Sequence, residues 1–477
     1  MSTSVTSNVL WKFAERVLAQ AVSLIVSIVL ARILLPDDYG AVAMVTVFIT
    51  IANAFVTDGI PTALIQKKNA DEMDFSSVFW FNILMSICLY AILFFTAPLI
   101  GNFYHMKILD PVIKVMGLKI IVAGINSVQH AYVSRHMMFR KYFWSTLFGT
   151  VLSGVIGIWM AYNNCGVWAL VAQYMINTVV DTVVLFVTVN WRPRIMFSIK
   201  RVIQLVGFGW KILFESLSNT LFGQINNLII GRVYTSSDLG YYTKSQQFPS
   251  GFVSSISAAI ASVLLPAMAN EQDDIERVKN LLRKSVRVST YVVLPLLVGL
   301  GVTAKPFVCF LLTEKWVDCV PYLQIFCFTN ALTIGMIPRH QALNGIGRSD
   351  VYMIEHIFAR IVGLILLLAV FKISVMAIAI SGIASTVILT FTVMYTSKRY
   401  NNYKYKEQIM DVVPSIIGCT IMGVPVYFVQ FIGLSYFKTL IIQIVLGIII
   451  YVIYSSIRKL EEFIFIRQYV ERLIKHS

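Results

Sequence analysis

The chain has 477 residues, of which 57% are hydrophobic and only 13% are charged. Soluble domains carry about 25% charged residues, so this composition excludes an ordinary water-soluble protein. It also excludes a disordered chain, because such chains are poor in aromatic and aliphatic residues. A mean hydropathy of +0.75 indicates an integral membrane protein.

Fourteen apolar segments are long enough to cross a bilayer as helices, which takes about 20 residues each. Helices are favoured because backbone polar groups in lipid must be hydrogen-bonded within the segment. The sequence therefore predicts an all-α integral membrane protein with about 14 transmembrane helices. The segments are approximately 8–33, 41–63, 77–100, 112–134, 144–162, 166–189, 204–232, 240–266, 288–311, 320–338, 351–371, 374–396, 411–430 and 438–457.

The basic residues indicate the orientation of these helices. The chain has 39 lysines and arginines against 24 aspartates and glutamates, a net charge of +15. With both termini in the cytoplasm, most of the loop cations face the cytoplasm, as the positive-inside rule requires. The external connections then hold only Lys107, Lys315, Lys372 and Lys438. This pattern explains the net charge without nucleic acid, and the short external loops leave no room for an outer catalytic domain.

The second half of the chain repeats the first at an offset of about 200 residues. Six predicted helices precede the second copy, so both copies have the same orientation, as in transporters with parallel repeats. We expect an N-lobe of helices 1–6 (residues 1–200), a C-lobe of helices 7–12 (201–400), and helices 13–14 with a basic tail (401–477). The substrate site would lie between the lobes. The matching residues include Arg32 and Arg232, Asp38 and Asp238, and Gly40 and Gly240.

The first and seventh helices each carry a polar stripe with positive charge. Lys12, Arg16 and Gln20 are four residues apart and share one helical face, with Glu15 beside them. In the seventh helix a similar face holds the residues Lys211, Glu215 and Asn226. The two stripes would line one water-filled cleft. Alternatively, Lys12, Arg16 and Lys211 extend toward the cytoplasmic headgroups.

Further ionisable residues are predicted at bilayer depth, where a charge is costly and usually functional. Arg360 lies near the middle of the eleventh helix, close to Glu355 and His356. These side chains form either an ion pair between helices or a site for a coupling ion. Lys119 of the fourth helix faces the cleft or extends to the interface. Four more ionisable residues lie near cytoplasmic helix ends, where a gate or headgroup role is expected rather than a ligand role: Asp58, His130, Arg339 and His340.

A cationic cleft predicts an anionic substrate, and phosphate or diphosphate suits both Arg and Lys. The predicted substrate-binding residues are Lys12, Arg16, Gln20, Lys119, Lys211, Asn226 and Arg360, and the predicted coupling or charge-tuning residues are Glu15, Glu215, Glu355 and His356. The six cysteines show no metal-ligand or CxxC spacing, so we expect no metal, cofactor or covalent catalysis.

Several short motifs carry a family resemblance. Residues 35–44 read LPDDYGAVAM, residues 239–245 LGYYTKS, residues 264–269 LLPAMA, residues 294–300 LPLLVGL and residues 341–344 QALN. Together they resemble the O-antigen and colanic-acid type of polysaccharide flippase, within the multidrug/oligosaccharidyl-lipid/polysaccharide exporter superfamily. Where relatives often have an acidic residue in the seventh helix, this chain has Asn226 and Asn227.

The resemblance implies two six-helix lobes plus a final helix pair, a central cavity and alternating access. It implies a polyprenyl-diphosphate-linked oligosaccharide as cargo, moved from the inner to the outer leaflet of a bacterial inner membrane for surface polysaccharide biosynthesis. It further implies coupling to protons or sodium ions, with polysaccharide assembly proteins as further partners. Three alternatives remain. A cation-coupled drug antiporter needs acidic cavity residues, and a membrane polysaccharide polymerase needs a large external loop. The third is an inactive scaffold for the assembly machinery.

Overall fold

The computed structural model describes residues 2–464 and 467–468, with side chains from residue 18 onward. Within this part of the chain the structure is helical and contains no strand, which confirms the all-α prediction. Short 3-10 helices lie at Glu314–Trp316 and Val429–Ile432. The α-helices are α1 Ser2–Ile33, α2 Pro36–Thr57, α3 Gly59–Gln66, α4 Glu72–Phe103, α5 Leu109–Arg135, α6 Phe139–Tyr162, α7 Val167–Thr188, α8 Ile199–Val233, α9 Ser236–Asn270, α10 Ile275–Val302, α11 Ala304–Leu311, α12 Cys319–Thr333, α13 Met336–Gly345, α14 Ser349–Val370, α15 Val375–Asn401, α16 Tyr405–Met410, α17 Val413–Phe428 and α18 Tyr436–Ile457.

Twelve helical segments among the described residues have the length and hydropathy to cross a membrane. The long helices α1 and α8 cover the first and seventh predicted segments. The part of α1 whose side chains are described is a shorter apolar stretch, Leu18–Ile33. The chain is thus a multi-pass membrane protein, and the total of fourteen spans stays a prediction.

Residue contacts divide the chain into a first unit, Met1–Gly240, and a second unit, Tyr241–Ser477. Helix α8 belongs to the first unit because it packs closely on α3: a Cβ atom placed on Gly209 would lie 2.8 Å from the carbonyl oxygen of Gly59. The expected lobes at residues 1–200 and 201–400 place this helix in the second lobe instead. These lobe boundaries, which follow from the internal repeat, stay a prediction.

An aromatic cluster forms part of the core of the first unit. Trp191, which follows α7, contacts Phe75 and Phe79 of α4 at ring-centroid distances of 5.7 and 6.1 Å. Tyr132 of α5 stacks on the same indole at 5.9 Å. Such ring pairs contribute about 0.5–1.5 kcal/mol each beyond burial. The cluster therefore fixes the ends of α4, α5 and α7 against one another.

In the second unit, an ion cluster joins α10 to the segment around α16. Arg283 donates from Nε and Nη2 to the two carboxylate oxygens of Asp411, at 2.8 and 3.0 Å. The Tyr403 hydroxyl donates to Asp411 at 2.7 Å, and Lys279 lies 3.2 Å from Glu407. Bidentate pairs of this kind are the stronger type of charged hydrogen bond.

The sequence repeat produces the same local structure twice. At the start of α2, Asp38 Oδ2 accepts a hydrogen bond from the Leu35 amide at 3.0 Å. At the start of α9, Asp238 Oδ2 accepts one from the Thr235 amide at 3.2 Å. Each carboxylate thus satisfies a backbone donor that a helix N-terminus leaves open.

The two repeated turns also contact each other reciprocally. A Cβ atom on Gly40 would lie 1.7 Å from the carbonyl oxygen of Ser236, and one on Gly240 would lie 2.1 Å from that of Pro36. Positions 36 and 236 correspond in the repeat, as do 40 and 240. The contact therefore has local twofold character, and it requires a residue without a side chain at both positions.

Candidate functional site

The predicted polar stripe of the first helix falls mostly outside the described side chains. Lys12, Glu15 and Arg16 lie in α1 before residue 18, outside the residues whose side chains the structure describes. Gln20 is described and is exposed. The role of this stripe in substrate binding stays a prediction.

The predicted stripe on α8 is polar and mostly accessible within its unit. Lys211 and Glu215 are exposed, and the Asn219 side-chain amide donates to Glu215 Oε1 at 2.9 Å. Asn226 is half-buried, and the neighbouring Asn227 donates to Gln224 at 2.8 Å. The structure therefore leaves the charges of Lys211 and Glu215 available to a solute.

Lys119 packs inside the first unit. Its side chain is half-buried on α5, and Nζ lies 5.5 Å from the ring centroid of Tyr174 on α7. A cation over an aromatic ring is stabilised by the ring quadrupole. The Tyr174 ring thus stabilises the ammonium group of the half-buried Lys119.

The residues predicted around Arg360 form a cluster in the second unit. Glu355 is 1% exposed, accepts a hydrogen bond from the Thr396 hydroxyl, and lies 3.3 Å from Nε2 of His340. The rings of His340 and His356 are 5.3 Å apart, and Arg360 is half-buried one turn further along α14. The carboxylate of Glu355 is thus held by α13 and α15 together.

A large apolar cavity lies within the second unit. Its volume is about 760 Å³, within the range of small-molecule sites. Aliphatic and aromatic side chains of α10, α12, α15 and α17 form most of its wall, among them Leu297, Phe328, Met394, Ile416 and Tyr427. A long hydrocarbon chain suits such a cavity better than a sugar does.

One buried cation, Arg339 of α13, reaches the wall of this cavity. The residue is 4% exposed, and its Nη1 donates to the carbonyl oxygen of Gly335 at 2.9 Å. Among the described residues its Nε has no hydrogen-bond partner. The nearby Asp411 is already paired with Arg283. An incompletely paired buried guanidinium is costly, so this arrangement suits an anionic ligand.

A smaller, polar cavity of about 420 Å³ lies within the first unit. His130 of α5 and Asp181 of α7 both line it, with Nε2 and Oδ2 2.9 Å apart. Asn126 donates to the same carboxylate oxygen at 2.6 Å. The other acceptors, Oδ1 of Asp181 and Oδ1 of Asn126, are buried without a hydrogen-bond partner among the described residues.

Two of these features, the Asp181 carboxylate and the burial of Arg339, are not among the sequence predictions. Asp181 is the one charged residue in the predicted segment 166–189, and that signal was available. Arg339 follows the predicted segment 320–338, whereas in the structure it lies within α13, which continues to Gly345. Among the described residues, no group of three or more His, Cys, Asp or Glu side chains is arranged to hold a metal ion.

Solved structures with similar folds are membrane transporters. The lipid II flippase MurJ in an inward closed conformation matches with a TM-score of 0.70 and 17% identity, covering 98% of this chain and 100% of that one. An inward-facing multidrug resistance MATE family transporter matches with a TM-score of 0.61 and 13% identity, covering 80% and 94%. At these identities the likeness shows the fold, which agrees with the predicted all-α membrane fold.

Relatives in sequence are named for the biosynthesis of surface polysaccharides. The chain is 25% identical over 348 residues to the succinoglycan biosynthesis transport protein ExoT of Rhizobium meliloti (strain 1021), covering 73% of this chain and 70% of ExoT. It is 25% identical over 334 residues to the lipopolysaccharide biosynthesis protein WzxC of Escherichia coli (strain K12), covering 68% and 67%. The teichuronic acid biosynthesis protein TuaB of Bacillus subtilis (strain 168) is 24% identical over 296 residues, covering 61% of each chain. The family model described as "Polysaccharide biosynthesis protein" matches residues 29–321, more than half of the chain. The chain therefore belongs to the polysaccharide biosynthesis protein family.

Proposed function

We propose that this protein is a flippase that moves a polyprenyl-diphosphate-linked oligosaccharide across a bacterial inner membrane by alternating access. Family membership carries the proposal. The relatives are named for succinoglycan, lipopolysaccharide and teichuronic acid, which are different polymers. A transporter shared by such pathways has to recognise the lipid carrier and its diphosphate, because the sugars differ.

The cavity of the second unit supports a lipid-linked substrate. An isoprenoid chain would lie along the apolar wall, and the diphosphate would pair with Arg339, whose guanidinium binds phosphate oxygens bidentately. This geometry also disfavours a cationic drug as substrate, since a buried arginine would repel it. In this proposal the protein is a transporter and not an enzyme.

The predicted cleft residues complete the proposed path. Lys12, Arg16 and Lys211 would attract the diphosphate, with Lys119 and Arg360 deeper in the membrane. Gln20 and Asn226 would contact sugar hydroxyls, while Glu15 and Glu215 would tune the neighbouring cations. Both termini lie in the cytoplasm in this proposal, and proteins of polysaccharide assembly would be its partners.

The role of Arg339 can be tested in a deletion strain complemented with variants. We expect Arg339→Gln to lower surface polysaccharide about tenfold, because a charged hydrogen bond contributes about 1.5–3 kcal/mol and 1.4 kcal/mol is tenfold in binding. Arg339→Lys should retain part of the activity. The matched control is Arg348→Gln, which removes a half-buried arginine that is paired with Asp350 at 2.9 Å. Normal export by Arg339→Gln at wild-type abundance would contradict the assignment.

A further inference from the structure

The internal repeat places a histidine at corresponding positions of the two units. At an offset of 210 residues, the spacings between histidine, tyrosine and a third polar residue are identical, 12 and then 3 residues. The first set is His130, Tyr142 and Ser145, and the second is His340, Tyr352 and Glu355. The intervening turns also match, since Met137 and Gly347 both have positive φ, 53° and 75°.

The two sets have the same side-chain geometry. The rings of His130 and Tyr142 are 4.5 Å apart with planes at 73°. The rings of His340 and Tyr352 are 4.8 Å apart, also with planes at 73°. The repeat therefore extends from the backbone to the orientation of both imidazoles.

Each imidazole faces a carboxylate, but the two carboxylates come from different helices. His130 Nε2 lies 2.9 Å from Asp181 on α7, and His340 Nε2 lies 3.3 Å from Glu355 on α14. The hydroxyl group beside each carboxylate also comes from a different helix in the two units. Ser145 of α6 lies next to Asp181, whereas Thr396 of α15 donates to Glu355. The two units thus build the same histidine–carboxylate–hydroxyl chemistry from different positions.

The hydrogen bonds of the first pair depend on where a proton lies. Asn126 Nδ2 is 2.9 Å from His130 Nε2, a hydrogen bond that requires Nε2 to carry no proton. The contact between His130 and Asp181 requires a proton between Nε2 and Oδ2. With the proton on Asp181, the single lone pair of Nε2 can accept from Oδ2 or from Asn126 Nδ2. Loss of that proton would leave Asn126 as the donor to Nε2 and break the hydrogen bond between His130 and Asp181, so the state of charge changes the link between α5 and α7.

The surroundings leave each pair able to change its charge. In the first unit the polar cavity gives water access, and among its lining residues the other ionisable side chain is Tyr142. In the second unit the ionisable groups around Glu355 and His340 are Tyr352, His356 and Arg360. Both histidines lie one to two turns before the predicted cytoplasmic ends of their helices, α5 and α13.

We propose that the His130–Asp181 and His340–Glu355 pairs are proton-binding sites, one in each unit, through which transport is coupled to a proton gradient. The inference rests on the proposed flippase function. A proton suits these sites because imidazole changes its charge between about pH 5 and pH 8. A sodium ion would instead need a shell of oxygen ligands without an imidazole nitrogen against the carboxylate.

Infrared difference spectroscopy of the purified full-length protein between about pH 5 and pH 8 tests proton binding directly. The wild type should show carboxyl protonation together with imidazole signals. Asp181→Asn and Glu355→Gln should each remove part of the carboxyl signal, and His130→Gln part of the imidazole signal. The matched control is Asp110→Asn, an aspartate on α5 paired with Lys114 at 2.9 Å, which should leave the signal unchanged.

Surface polysaccharide in a complemented deletion strain is the second measurement. The Asp181→Asn, Glu355→Gln double variant should lower export at least about tenfold at wild-type abundance, which corresponds to 1.4 kcal/mol. Wild-type export without a carboxyl signal in the wild-type protein would overturn the proton sites and leave the flippase function standing. So would normal export by the double variant. If the wild type shows both signals but does not restore export, the flippase function fails and proton binding stands.

Discussion

The reciprocal glycine contact gives a sharp prediction for Gly40→Ala. The added methyl group would lie 1.7 Å from the carbonyl oxygen of Ser236. To restore even a 3.0 Å separation, the two backbones must part by about 1.3 Å. No rotamer relieves the clash, because the opposing atom belongs to the backbone. The hydrogen bond from the Ser236 hydroxyl to Asp37 would be strained as well.

We expect Gly40→Ala to destabilise this contact by about 3 kcal/mol, the upper end of the usual range for overpacking. The thermal midpoint of the purified protein in detergent should fall accordingly, and so should its abundance in membranes. Gly240→Ala should have a similar effect. The double variant should lose less than the sum of the two single effects, because the first substitution already opens the shared contact.

Gly207→Ala is the control for helix propensity. A Cβ atom there meets no atom within 4 Å, so this substitution in α8 should be neutral or stabilise by up to about 1 kcal/mol. A Gly40→Ala protein with the wild-type thermal midpoint would refute the reasoning. An equally large fall in the thermal midpoint of the Gly207→Ala protein would also refute it.

Two further predictions concern ion pairs. Asp411→Asn removes the bidentate acceptor of Arg283. We expect the free energy of unfolding to fall by about 1–3 kcal/mol, with Asp411→Glu intermediate. An unchanged thermal midpoint would contradict this prediction. The hydrogen bond from Arg201 holds the pKa of the Asp71 carboxyl below its usual range. A carboxyl group whose pKa is lower in the folded state stabilises the fold at pH values above its unfolded pKa of about 3.9. This stabilisation is lost as the pH falls through the folded-state pKa. Asp71→Asn should therefore be slightly less stable than wild type at neutral pH, with a small effect because the pair is exposed to solvent. The difference should disappear in an acid titration of the thermal midpoint, and a difference that grows in acid would refute it.

The helices and the repeated turns could be predicted because their signals are local. Apolar length marks each spanning segment, and the turn residues Asp38 and Asp238 cap their helices within three residues of chain. The packing of α8 in the first unit was harder to predict from sequence, because the contact of Gly59 with Gly209 joins positions 150 residues apart. Neither glycine shows in sequence which partner it meets.

The candidate sites were predicted only in part. Glu355 was identified as an embedded charge, but its partners His340 and Thr396 come from other helices and appear only in three dimensions. Asp181 was not predicted, because the signal of an anionic substrate is a basic stripe and Asp181 is acidic. The burial of Arg339 could not be predicted from the sequence, because it depends on where α13 ends.

Flipping by the purified protein in liposomes tests the proposed function most directly. The probe is an undecaprenyl-diphosphate carrying a fluorescent sugar, and an impermeant quencher reports the fraction in the outer leaflet. We expect the wild type to equilibrate the probe between leaflets and Arg339→Gln to slow this about tenfold. Equal and slow movement in protein-free liposomes and in liposomes with the wild type would contradict the account.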